Sequence, residues 1–432
     1  MKNQSLLEVF GKQKMKALLF IGFSSGLPLF LTGSTLQAWL TQEGISLETI
    51  GAFSLVKLPY SLKFLWSPIL DRFAPPFLGR RRGWLAITQV ALLLAIAAMA
   101  LQKPAQGPQL LAITAVIVAF LSASQDIVAD AYRTDVTEKQ EVGPGASVYL
   151  LGYRLALIVT SAVALWLADR MPWSIVYLLM ALLMGVGLIT SFFAPEPVLR
   201  SNPPQTLADA FILPSIDFFR RHGSLRAVSI LLFIVLYKLG DSMLKNVATP
   251  FLLKKGLNFS QSDLAFPTGL GLAAAIVGIL VGGVVMNKIG INRSLWIFAI
   301  VQALGNLSYF ALAEVGKNYP LMIAAINIEN FCYGLESAAF VAFLMSLCNQ
   351  SFSATQFALL SSLQAFSRDI LVAPTGTWAT AIGWPNFFLL TAVLALPGLM
   401  LLPFFAPWNP RPAMAMPRPG LDENDDDYHN EL

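Results

Sequence analysis

The chain has 432 residues, of which 56% are hydrophobic and only 12% charged, with a formal net charge of +4 and a mean hydropathy of +0.64. A single water-soluble core stops growing well before this size, so that much apolar surface excludes a soluble globular protein. Apolar runs of about twenty residues recur, each long enough for a ~30 Å hydrocarbon layer, and they imply an all-α, polytopic membrane protein.

Taken in chain order, the apolar runs predict twelve transmembrane helices, at 17–39, 47–70, 83–102, 110–132, 145–168, 173–194, 226–250, 263–286, 294–314, 320–348, 354–381 and 385–406. The first is too long for the apolar core of a signal peptide, and no small-residue cleavage site follows it, so it is expected to be retained. Outside these helices or at their first residue, eighteen Lys and Arg lie on the side of the termini and five on the other. By the positive-inside rule both termini are expected in the cytoplasm. The net charge then reflects topology, and no nucleic-acid partner is implied.

The loop after the second helix reads "LDRFAPPFLGRRRGW" (70–84), and the loop after the eighth reads "VMNKIGINRSLW" (285–296). Both contain Gly and basic residues and lead into a Trp opening the next helix, which suggests a parallel repeat of two six-helix halves. The first loop resembles the signature of major-facilitator transporters, an Asp–Arg followed by Gly and an Arg cluster. It marks Asp71, Arg72, Arg80, Arg81 and Arg82 as a gate network. Asp71 is expected to face the amino end of a helix in the other half. The eleventh helix is the candidate, with "SATQ" (353–356) as its capping box.

In the fourth helix "SASQDIVADAY" (122–132) places Asp126 and Asp130 four apart, on one helix face. Arg154, in the fifth, is expected near Asp126, while Asp130 either serves protons or pairs with Arg80–Arg82 at the gate. The longest connection, 195–225, separates an amino-terminal bundle (1–194) from a carboxy-terminal one (226–407). Its "TLADAFILPSIDFFRRHG" suggests a short helix on the cytoplasmic face, or simply a spacer.

In the seventh helix "LYKLGDSMLK" aligns Lys238, Asp241 and Lys245 on one face, so the two lysines are expected to neutralise Asp241. The eighth holds Gly278 and Gly282 at the spacing that permits close helix approach. The tenth carries Glu329 and Glu336 seven apart, also on one face. Cys332 and Cys348, sixteen apart in that helix, can form neither a disulfide with each other nor a metal site. The tail, 408–432, is Pro-rich, ends in acidic residues and is expected to be disordered.

Away from the ends of the predicted helices lie six basic residues (Lys57, Lys63, Arg154, Lys238, Lys245, Arg368) and six acidic ones (Asp126, Asp130, Asp241, Glu329, Glu336, Asp369). Charges against lipid are costly, so these must line a bundle interior or a wet path. A path for a polar solute explains so many of them; passive anchoring does not. A carboxylate in a partly desolvated cavity can take a proton from one side and release it to the other as access alternates. Asp126 is the first candidate for that role, then Glu329, with Asp130 also placed on the path. There is no phosphate-binding GxxxxGK[ST] pattern, no serine-nucleophile motif and no His-x-x-x-His pair. An enzyme, ATP hydrolysis and a metal site are therefore not expected, and transport is left to an ion gradient or a downhill path. The fifth helix lacks the Gly-Pro-rich pattern of many facilitator drug antiporters, which favours symport.

Several long blocks, in order, carry a more specific likeness. They are "GFSSGLPLFLTGSTLQAWL" (22–40), "FLWSPILDRFAPPFLGRRRGW" (64–84), "SASQDIVADAYRTDV" (122–136), "LYKLGDS" (236–242), "ENFCYGLESAAFVAFLMSLCNQSFSATQFALLSSL" (329–363) and the Gly-Trp at 383–384. Over most of its length the chain resembles the AmpG muropeptide permease family of the major facilitator superfamily. The resemblance implies a bacterial inner-membrane protein, driven by the proton-motive force and using no other cofactor. It implies import of N-acetylglucosaminyl-1,6-anhydro-N-acetylmuramyl peptides by alternating access, with links to peptidoglycan recycling and β-lactamase induction. Some family members have additional transmembrane segments beyond twelve.

Such a substrate offers hydroxyls, amides and carboxylates. Gln37, Trp39, Gln125, Tyr153, Arg154, Asn327, Gln364 and Lys238 would supply hydrogen bonds, a stacking surface and cations. Trp39 could instead anchor the membrane interface, and Arg154 could instead pair with Asp126. The expected partners are the muropeptide and the bilayer, with the chain acting as a monomer. Two other readings are a carrier of another amphiphile such as acetyl-CoA, and a non-transporting receptor for wall fragments.

Overall fold

The structure, a computed structural model, describes residues 11–45, 53–104, 107–138, 140–197, 206–253 and 257–408. Every regular element among them is helical. The amino-terminal part contains α1 (Gln13–Leu31), α2 (Ser34–Gln42), α3 (Leu58–Leu62), α4 (Ser67–Arg72), α5 (Arg80–Ala100), α6 (Pro108–Val136), α7 (Val142–Ile158), α8 (Ala164–Ala168) and α9 (Trp173–Phe193). A connecting α10 (Leu207–His222) leads to α11 (Ser224–Leu236), α12 (Leu239–Leu252), α13 (Gln261–Ile289), α14 (Ile291–Val315) and α15 (Tyr319–Leu347). The chain continues with α16 (Ser353–Leu371), α17 (Thr375–Ile382), α18 (Trp384–Val393) and α19 (Leu396–Phe405).

Among the described residues ten helical stretches are long and apolar enough to cross a membrane. They coincide with ten of the twelve expected helices. The other two are helical but not continuous. The expected 47–70 helix, described from Phe53 onward, consists of α3, α4 and two 3-10 turns, Phe53–Lys57 and Lys63–Leu65. Pro59 and Pro68 occupy the first turns of α3 and α4, where a missing N–H is harmless but the ring stops any helix arriving from upstream. The expected 354–381 helix divides into α16 and α17 at Pro374. Long helices elsewhere are also interrupted. The first breaks at Thr32–Gly33, where the Thr32 hydroxyl donates to the Pro28 carbonyl at 3.0 Å. The fifth contains a π-turn, Val159–Val163.

Large apolar side chains such as Leu94, Leu182, Phe193, Phe266 and Met400 point outward, whereas Asp71, Arg81, Gln89, Gln125 and Glu336 are buried. That inversion suits a bundle whose outer solvent is hydrocarbon. In the amino-terminal half α1 packs on α6, α7 and α9; in the other, α15 packs on α13 and α14. Gly278 makes the α13–α15 contact possible, because a Cβ there would overlap the Phe331 carbonyl. The halves meet where α7 lies on α13 and α15, where α6 lies on α16, and where α4 lies on α16. The expected surface helix is α10, capped by Thr206, whose hydroxyl accepts from the Asp209 N–H at 3.0 Å. It packs on α4, α11 and α16 and leaves Phe211, Ile212 and Ile216 exposed. The expected disordered tail, beyond Trp408, lies outside the described residues.

Candidate functional site

At one end of the contact between the halves, the amino end of α16 sits in a cage of charge. Asp71 accepts from the backbone N–H and hydroxyl of Thr355, each at 2.8 Å, and from the Ala354 N–H at 3.4 Å. A carboxylate there meets unpaired N–H groups and the positive end of the helix dipole together. The expected Ser353–Gln356 capping box is not formed. Ser353 accepts from Arg81 at 2.7 Å, and the Gln356 side-chain oxygen accepts from the Asn349 N–H at 2.7 Å. The full charge of Asp71 has taken the capping role, and charge-assisted bonds are the stronger ones.

The arginines diverge. Arg81, fully buried, donates to Asp71 at 2.9 Å and to Asp135 at 2.7 Å. Arg80 reaches across to the Gln350 carbonyl at 3.2 Å. Arg82 turns back to the Ser191 carbonyl at 2.8 Å and to that of Phe192. Arg72 lies over the Phe73 ring, 5.5 Å from its centroid. Asp130 does not join this cage, contrary to the gate alternative. It pairs instead with Arg133 at 2.9 Å and Lys63 at 3.4 Å. The reason is helical register: Arg133 is one turn along α6 from Asp130, while Asp135 takes the place beside Arg81.

Between the halves lies a cavity of about 510 Å³. Asp126, Asp130, Tyr153 and Arg154 border it from the amino-terminal half, and Lys238, Tyr333 and Gln364 from the other. One oxygen of Asp126 is buried without a hydrogen-bond partner, and among the described residues Asp126 is in no ion pair. The Ser25 and Tyr60 hydroxyls are likewise buried. The expected Arg154–Asp126 pair is not formed: the Arg154 guanidinium lies over the Tyr333 ring, 5.2 Å from its centroid.

In the carboxy-terminal half the acids are matched to lysines. Glu329 is 3.2 Å from Lys245, Asp241 is 3.7 Å from the same nitrogen, and Glu336 is 3.9 Å from Lys238. Asp241 also accepts from Gln302 at 3.3 Å. Asp241 and Lys245 thus belong to this inner network and not to the Asp71 cage.

Four expected binding residues stand away from the cavity lining. Trp39 is buried in a cluster with Trp173 and Tyr177, and its indole donates to Glu43 at 3.4 Å. That packing displaces both the stacking and the interface-anchor reading. Gln125 is buried and donates to Ser24 at 3.0 Å. Asn327 donates to the Ile323 carbonyl of its own helix at 2.7 Å. Gln37 is exposed on α2.

Three contributors were missed from sequence: Tyr333, Arg133 and Asp135. Tyr333 lies four residues after Glu329 and three before Glu336, a helical spacing that could have flagged it. Arg133 and Asp135 read as loop residues because the apolar run stops at 132, yet α6 continues to Val136.

The sequence profile of the Major Facilitator Superfamily matches residues 18–370. An anhydromuropeptide permease of Escherichia coli strain K12 is 48% identical over 403 residues, 93% of this chain and 81% of that one. An uncharacterized protein of Haemophilus influenzae is 39% identical, covering 94% of this chain and 97% of that one. Among solved structures, the proton:xylose symporter XylE is similar with a TM-score of 0.71 at 12% identity, over 92% of this chain and 96% of that one. The E. coli fucose:proton symporter gives 0.69 at 13% identity, over 90% and 98%. At those identities the two symporters speak for the fold alone.

Proposed function

The chain belongs to the major facilitator superfamily and, within it, to the family of the anhydromuropeptide permease, and from that premise we propose that it imports anhydro-muropeptides, driven by the proton-motive force. It is a multi-pass membrane protein, placed by this reading in the bacterial inner membrane. The substrate class comes from the relative that shares 48% of its residues along 93% of this chain. The mechanism rests on one observation: a cavity bordered by both halves contains a carboxylate, Asp126, that is in no ion pair among the described residues. A group so placed can bind a proton when the cavity opens to one side and lose it when the cavity opens to the other.

In this reading the interrupted segments 53–72 and 353–382 complete a set of twelve spans. The excess of basic residues then puts both termini in the cytoplasm. Residues 1–194 and 226–407 rock as two bodies joined by 195–225, and the Asp71 cage is the cytoplasmic closure. Asp126 carries the proton, with Asp130 and Glu329 as secondary candidates. Arg154, Tyr153, Lys238 and Gln364 hold substrate. The carrier works as a monomer, without ATP and without covalent chemistry.

The test is uptake of radiolabelled anhydro-muropeptide into proteoliposomes under an imposed inward proton gradient. Wild type is expected to concentrate the ligand and to lose that ability with a protonophore. Asp126→Asn is expected to exchange ligand across the membrane without concentrating it. Binding by wild type with no uptake would replace this reading with that of a receptor for wall fragments.

A further inference from the structure

Tyr333 borders the cavity at the point where cations from both halves converge. Lys238 Nζ lies 4.3 Å from its ring centroid and Lys245 Nζ 2.7 Å, and Arg154 arrives from α7 in the opposite half at 5.2 Å. The two lysines are matched: Lys238 donates to Ser337 at 2.8 Å and stands 3.9 Å from Glu336, while Lys245 pairs with Glu329 and Asp241. Arg154 differs from them. Among the described residues it is in no ion pair, and the ring is the contact that positions it.

A guanidinium over an aromatic face is held less strongly than one in a bidentate pair with a carboxylate, because the ring offers only its quadrupole. We propose that Tyr333 is the positioning and specificity-determining residue of an anion subsite: its ring holds the face of the Arg154 guanidinium beside Lys238 and leaves the N–H edge free to take a substrate carboxylate while the ring contact persists. The subsite is built from both halves, so an occupied subsite ties them together. The choice of a peptide carboxylate as the occupant rests on the muropeptide reading above.

Proteoliposome uptake of two ligands tests this: an anhydro-muropeptide with free peptide carboxylates, and the same compound with those groups amidated. Wild type is expected to favour the free acid. Tyr333→Leu should raise KM for the free acid roughly tenfold, the worth of one cation–π contact, and leave the amide and the maximal rates nearly unchanged. Tyr333→Phe, which keeps the ring face, should behave as wild type. The proposal is overturned if Tyr333→Leu shifts both ligands equally or neither, or if Phe is as damaging as Leu. Should Tyr333→Leu fail to fold, Arg154→Lys must show the same ligand-dependent KM shift, since it loses the bidentate fork with the ring in place. Wild-type liposomes that accumulate neither ligand would remove the substrate reading and this proposal together. Failure confined to the variants removes only the proposal.

Discussion

The two walls of the cavity handle buried charge differently. Behind the carboxy-terminal wall, which Lys238 and Tyr333 line, each of three acids lies within 4 Å of a lysine: Glu329 and Asp241 share Lys245, and Glu336 has Lys238. On the amino-terminal wall Asp130 is tied on two sides, by Arg133 and Lys63, while Asp126 has no ion pair among the described residues. A carboxylate fixed to a cation has little freedom to exchange its proton, whereas one left unpaired in a cavity can respond to which side supplies protons. On the function proposed above, the contrast gives proton handling to one wall and anion handling to the other, although the sequence spaces acids just as regularly along both.

The largest effect should therefore separate Asp126 from Glu329. In a counterflow and gradient-uptake pair of assays, Asp126→Asn is expected to lower the accumulation ratio to unity while counterflow persists. Glu329→Gln should keep a ratio above unity, with a slower rate. If Glu329→Gln alone abolished accumulation, the division between the walls would be wrong. Next comes Lys245→Met, which leaves Glu329 and Asp241 without their shared cation in a buried site. Breaking one partner of such a pair costs about 3–5 kcal/mol, read as lost stability in detergent unfolding. Adding Glu329→Gln to Lys245→Met should recover part of that loss, a non-additivity that measures the pairing itself.

Ten of the expected spans were legible because apolar runs of membrane length are an unambiguous signal. The breaks in the other two were not, since a proline inside an apolar stretch reads equally as a kink, a first turn or a true interruption. Pro59 and Pro374 proved to mark interruptions. Asp71 could be placed against a helix terminus from its loop pattern, but which side chain did the capping could not. "SATQ" carries a local signal, whereas the Asp71 carboxylate that displaces it arrives from 284 positions away. Tyr333 was passed over for a different reason. An aromatic residue in an apolar helix looks like packing until the lysines of α12 and the arginine of α7 are seen around it.

Lys63 gives a smaller test of the amino-terminal wall. Asp130 would keep Arg133 at 2.9 Å if Lys63, at 3.4 Å, were replaced by Met. The expected cost is about 1.5–3 kcal/mol, the range for a hydrogen bond to a charged group. A loss as large as that of Lys245→Met would mean that Arg133 does not hold Asp130 alone.

The smallest effect lies outside the membrane, at the turn before α7, where Glu141 meets Lys12 at 2.7 Å and also pairs with Lys14. Burial pushes the Glu141 carboxyl up, but hydrogen bonds from the two lysines outweigh it and hold the group below its ordinary range. A depressed carboxyl contributes stability at neutral pH that disappears as pH falls through its folded-state value. Because the lysines are partly exposed, that contribution should stay below about 1 kcal/mol and shrink with salt. Thermal unfolding of wild type and Glu141→Gln should accordingly differ slightly at pH 7 and converge on acidification. A difference that instead grew toward low pH would show that the lysine contacts do not stabilise the folded chain.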